Sequence, residues 1–65
     1  MEPHQERVVK EKEELDDKLT KLEIFVSTNK IFNTLSDEDK QLLTDQYETM
    51  EKYSLILEKR INRFK

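Results

Sequence analysis

The chain has 65 residues, of which 34% are hydrophobic and 42% charged, with 15 acids against 12 bases for a net charge of −3. Chains this short seldom hold a large self-contained core and usually rely on disulfides, a metal or a partner chain. The absence of cysteine and the single histidine exclude disulfides, thiolate or His-pair zinc sites and a histidine-based triad, and the absence of glycine excludes P-loops, dinucleotide fingerprints and nucleophile elbows.

The charge has further consequences. Nucleic-acid binders draw most of their affinity from basic contacts to phosphate, so an acidic balance argues against DNA or RNA as a partner. No apolar run exceeds three residues, as in Leu55-Ile56-Leu57, and the charged N-terminal segment has no apolar stretch. Neither a membrane span nor a signal peptide is expected, and a soluble, cytoplasmic protein is. The charge is also uneven. Residues 1–26 hold eight acids and five bases, whereas residues 59–65 hold four bases and no acid. Cations suit the end of a helix dipole. They can also form a local anion site in a net-acidic protein.

In chain order, Pro3 suits a first helical turn because its missing N–H needs no partner there. Val8, Lys12, Leu15, Leu19, Leu22 and Val26 then follow at intervals of four and three, a heptad seam interrupted by one lysine. Glu14 with Lys18 and Asp17 with Lys21 are acid-before-base pairs four residues apart, which support an exposed helix face. The pattern predicts a helix over about 3–26. Ser27-Thr28-Asn29 should stop it, because small polar side chains compete for backbone hydrogen bonds. A connection over about 27–36 follows, with Ile31, Phe32 and Leu35 placed to plug the end of a hairpin.

Ser36-Asp37-Glu38-Asp39 reads as a helix start, with Ser36 as cap and acids at the positive end of the dipole. The second helix is expected over about 37–64. One seam is Leu43, Tyr47, Met50, Ser54, Leu57, Ile61 and Phe64. A second is Gln46, Met50, Tyr53, Leu57, Arg60 and Phe64. Two seams make a stripe wider than one partner helix needs. Leu42, Leu55 and Ile56 fall outside both. The predicted fold is all-α: an antiparallel two-helix hairpin forming one domain over 1–65, assembling into an oligomeric helical bundle with Leu55 and Ile56 at a second interface.

Catalysis is not expected. His4 lies at the N-terminal end, and the carboxylates of 11–17 wind around the helix rather than converging on a metal. No cofactor is implied. Two exceptions to the pattern are candidate ligand-binding groups. Lys12 on the first seam either snorkels and fixes register or reaches an anionic ligand held between chains. Gln46, Tyr53 and Arg60, spaced by seven, make either a wet helix interface with Arg60 paired to Glu11, or a ligand wall. Such a wall would offer an amide for a base edge, a ring for stacking and a guanidinium for phosphate. Arg7 could add charge from the first helix.

Pro3-His4-Gln5-Glu6-Arg7-Val8-Val9, Glu14-Leu15-Asp16-Asp17-Lys18, Lys21-Leu22, Phe25, Gln46, Met50, Tyr53-Ser54, Leu57, Arg60-Ile61 and Phe64 together resemble a family of small helical proteins of tailed phages and prophages, related to a crAss-like phage protein. The resemblance spans nearly the whole chain and brings no catalytic residues. It implies a phage protein acting in the host cytoplasm. Small phage proteins often antagonise host defence, and the anti-CBASS and anti-Thoeris sponges trap cyclic nucleotide signals between helical hairpins in an oligomer. The Tyr-His-Pro type motif of the hairpin-type sponges is absent here, so only their general strategy carries over. The expectation is a non-enzymatic anti-defence sponge, a homo-oligomer sequestering a small anionic, cyclic nucleotide. The alternatives are a helical inhibitor or adaptor that binds a host protein and a small structural phage assembly protein.

Overall fold

The structure, a computed structural model, describes residues 2–64. Helix α1 spans Pro3–Thr28, a five-residue helix α2 spans Lys30–Thr34, and helix α3 spans Asp37–Asn62. The two long helices pack against each other, so the fold is the all-helical hairpin expected from the heptad spacing. The body is a rod of 46 × 15 × 13 Å.

Local chemistry fixes the ends of these elements. Gln5 Oε1 accepts from the Glu2 amide at 2.9 Å, one of the reciprocal bonds of a capping box. Ser27 and Thr28 do not end α1. Their hydroxyls donate to the carbonyls of Glu23 and Ile24, four residues back, at 2.7 Å each, so both residues stay helical. Asn29 makes the break. Its backbone is extended, and its Oδ1 accepts from the Ile31 amide at 2.8 Å, so the C-cap of α1 is also the N-cap of α2. Ser36 Oγ accepts from the Asp39 amide at 3.2 Å and opens α3, whose first turn carries Asp37, Glu38 and Asp39 and whose last turn carries Lys59 and Arg60. Both charge sets complement the helix dipole.

Phe32 closes the hairpin. Its ring meets Phe25 edge to face at 6.1 Å, and Lys40 Nζ lies 5.8 Å from its centroid. Ile31 instead stays exposed. At the open end His4 meets Phe64 edge to face at 6.5 Å. Between these ends the core is thin. Val8, Leu15 and Leu57 are buried, with Met50, Ile61 and Phe64 packed against them. Leu57 is the sole side chain shut off fully from solvent among the described residues. Gln46, Tyr53 and Arg60, the members of the second seam that the first does not share, therefore have no cover from α1, because one facing helix fills only one row of grooves.

Candidate functional site

Residues seven apart on a helix share a face, so the row of Leu43, Met50 and Leu57, half-buried to fully buried, divides the surface of α3 into two flanks. Tyr47, Glu51 and Ser54 fall on one flank. Gln46, Tyr53 and Arg60 fall on the other, with Leu42, Thr49 and Ile56 beside them. The first flank faces Asp16, Thr20 and Glu23 of α1 across a groove of about 340 Å³, whose walls also include Leu19 and Leu55. A second depression of about 260 Å³ continues it past Val26, Ser27 and Thr44 towards the closed end.

The groove is acidic. Asp16, Glu23 and Glu51 line it, its lining residues include no cation, and Lys12 next to Asp16 is already engaged. Lys12 Nζ donates to Asp16 Oδ2 at 2.6 Å and to Ser54 Oγ at 3.2 Å, and Ser54 Oγ donates to Asp16 Oδ1 at 2.5 Å. This three-membered polar inlay links α1 to α3 where the seam would otherwise be apolar. Ser54 is small enough to be buried there, and both its hydrogen-bonding roles are filled. The hydrogen bond from Lys12 acts first, and that from Ser54 second, to hold the Asp16 carboxyl below its ordinary pKa, against a smaller opposing desolvation. Tyr47 is shifted the other way. Partial desolvation raises its phenol above the ordinary value, and the carboxylates of Glu23 and Glu51 add to the rise. An anionic ligand would meet three carboxylates in this groove and no free cation.

The opposite flank has different chemistry. Arg7, Gln46 and Arg60 are exposed, and Tyr53 keeps 41% of its surface accessible. Gln46 Nε2 lies 3.8 Å from Met50 Sδ, a weak contact that leaves its amide oxygen open. Among the described residues the ion pairs are Lys12–Asp16 and Lys21–Asp17, so Arg60 is not tied to Glu11 and Arg7 is not tied to an acid. On α1, Arg7 shares a flank with Glu11, Glu14 and Lys18, the flank away from Asp16 and Thr20. The hairpin thus sets Arg7, Gln46, Tyr53 and Arg60 on one broad face and places Lys12 on the other side of the seam. Leu55 and Ile56 are both exposed but part company: Leu55 borders the acidic groove, and Ile56 stands beside Tyr53 and Arg60.

The polar role of Ser54 was not evident from sequence, where it reads as one member of an apolar seam. The usable signal was the coincidence of two polar seam positions, Lys12 and Ser54, at facing levels of an antiparallel hairpin. Among the described residues no group of three histidines or carboxylates converges on a metal position, and no helix is long and apolar enough to cross a membrane. Comparison with curated proteins and with solved structures finds no match. A family model described as Sequestin matches residues 2–63.

Proposed function

The chain belongs to the Sequestin family, and from that premise we propose that it is a non-enzymatic phage anti-defence protein, an oligomer that sequesters a small anionic, cyclic nucleotide signal in the host cytoplasm. The family name denotes binding and withholding rather than turnover. The observation that carries the ligand class is the face of Arg7, Gln46, Tyr53 and Arg60, where two guanidinium groups without an ion pair among the described residues share a flank with an exposed aromatic ring and an amide. A guanidinium grips phosphate through parallel charge-assisted bonds, a phenol ring stacks on a base, and an amide reads a base edge. Tyr53 and Arg60 are two turns apart, roughly 10.5 Å along the axis, a span suited to a base and its phosphate. Lys12 is not counted in this wall, because Asp16 already neutralises it.

A single hairpin offers this wall as an open surface, and small ligands are held in concave sites that cover most of their area. Closure by another chain is therefore part of the proposal. Native mass spectrometry of the full chain with a mixture of cyclic dinucleotides, cyclic trinucleotides and cyclic ADP-ribose isomers tests it. The expected spectrum shows an oligomer carrying unmodified nucleotide. An oligomer that stays empty at tenfold excess of every nucleotide would refute the ligand class.

A second reading rests on the other side of the molecule. The acidic groove with exposed Leu55 on its rim suits a basic, apolar segment of a host protein, as a helical inhibitor or adaptor would bind. Leu55→Glu would abolish such an interaction and leave nucleotide binding intact.

A further inference from the structure

Three further features of the molecule invite a role: the acidic groove, the Lys12–Asp16–Ser54 inlay and the uncovered flank of α3. The groove is built from carboxylates with no convergent cation site, and the inlay is satisfied within the hairpin. The uncovered flank carries a pattern that identifies its own partner.

Leu42, Gln46, Thr49, Tyr53, Ile56 and Arg60 follow one another at intervals of four and three, the spacing of a helix–helix seam. Leu42 is 65% exposed, Ile56 54% and Tyr53 41%, so the apolar members of this seam have no cover within the hairpin. A row of charged residues runs beside it at seven-residue spacing: Glu38, Asp45, Lys52 and Lys59. All four are exposed, and none makes an intrachain ion pair among the described residues. Asp45 accepts only a neutral bond, from Gln41 at 2.9 Å.

The order acid, acid, base, base is self-complementary when reversed. In an antiparallel two-fold pairing centred between Glu48 and Thr49, Glu38 faces Lys59 of the second copy and Asp45 faces Lys52 of the second copy. The two-fold axis repeats each pair. In a parallel two-fold pairing the row of one copy falls on the opposite side of the contact from the row of the other, so none of these pairs forms. Flanking charges set partner choice and orientation in helix–helix seams in this way. The acidic first turn and basic last turn of α3 add to the same preference. A partner of unrelated sequence would have no reason to match this row, whereas a second copy does so by symmetry.

We infer that α3 packs antiparallel against α3 of a second copy through the Leu42–Arg60 seam, with Thr49 the seam residue next to the two-fold axis and the Glu38, Asp45, Lys52, Lys59 row setting the orientation. This deepens the oligomer of the proposed function and rests on that part of it alone. Gln46 of one copy then lies near Tyr53 of the other, so the proposed ligand wall is completed across the axis.

The chain has no cysteine, so introduced ones report without background. Thr49→Cys in the full chain should form a disulfide-linked dimer under mild oxidation, since the axis brings two copies of the residue within bonding range. Glu48→Cys, on the far face of α3, should cross-link at least tenfold more slowly. Sedimentation supplies the second arm. Lys52→Glu should weaken the dimer by roughly tenfold, because two attractions become two repulsions, and Asp45→Lys combined with Lys52→Glu should restore it to within threefold. Circular dichroism checks that each variant remains helical. A chain that self-associates but links Thr49→Cys no faster than Glu48→Cys overturns the assigned face and leaves the proposed function standing. Failure of the double exchange to restore association overturns the antiparallel orientation. A chain monomeric at every concentration overturns the inference together with the oligomer. Cross-linking at Thr49 with no nucleotide bound supports the inference and refutes the ligand.

Discussion

Leu57→Ala is the sharpest test of the hairpin core. Leu57 is 0% exposed and sits between the seams of both helices, with Val8 and Leu15 as its buried neighbours. Truncating a buried leucine costs about 2–5 kcal/mol, the larger values applying where the cavity cannot collapse. Two helices cannot enclose a cavity on all sides, and water or side-chain movement can relieve part of it, so the lower half of the range, about 2–3 kcal/mol, is expected. A chain of this size holds only roughly 3–10 kcal/mol in total. The melting temperature should therefore fall by about 10–20 °C. Leu42→Ala is the control. Leu42 is 65% exposed, so its loss should leave the melting temperature of the dilute chain nearly unchanged, while removing concentration dependence if the uncovered flank is an interface. Circular dichroism melts across a hundredfold range of concentration read both effects. A Leu57→Ala chain melting within about 4 °C of the parent, the shift of about 1 kcal/mol, would refute this account of the core.

Three further outcomes follow from the polar groups. The Asp16 carboxyl has a depressed pKa in the folded chain, so its contribution is fully present above its unfolded value and is lost as pH falls through the folded one. Urea midpoints of the parent and Asp16→Asn should differ at pH 6 and converge in acid below about pH 4; a gap constant down to pH 2 would contradict the assignment. Ser54→Ala should cost about 1 kcal/mol in urea denaturation, the net value of an ordinary hydrogen bond, because Lys12 and Asp16 keep each other; a gain in stability would show the inlay to be dispensable. Arg60→Ala should weaken nucleotide binding by roughly tenfold or more in calorimetry without lowering the melting temperature, Arg60→Lys should recover only part of it, and Tyr53→Phe should be milder than Tyr53→Ala. Unchanged affinity in a folded Arg60→Ala chain would remove Arg60 from the wall.

The hairpin was legible because its determinants are local. Heptad spacing in Val8 to Val26 and Leu43 to Phe64, the Ser36 cap and the short connection each act within a few residues. The end of α1 was less so. Ser27 and Thr28 can either break a helix or bond four residues back within it, and composition does not choose between them. Lys12 was legible as an exception but not as a role. Its partners are Asp16, one turn away, and Ser54, 42 residues away in sequence, and the second depends on how the helices dock. The Arg60–Glu11 pair is the converse case. The antiparallel register permits it, but both side chains are exposed, and such pairs gain too little over hydration to be fixed by spacing alone.

The two flanks of the hairpin divide the chemistry between them. A net charge of −3 would repel an anion from an evenly charged surface, but the groove side concentrates Asp16, Glu23 and Glu51, and the Lys12 next to Asp16 is already paired. The other side keeps Arg7 and Arg60 without an ion pair among the described residues. Local potential governs attraction of a small ligand more than the total does. A second hairpin laid antiparallel on the α3 flank would double the guanidinium groups there, exclude water and strengthen each charge contact in the drier surroundings. The groove would remain outside that contact, facing solvent on both copies. Self-association and anion capture would then draw on the same uncovered seam, which explains why α3 carries more amphipathic surface than α1 can bury.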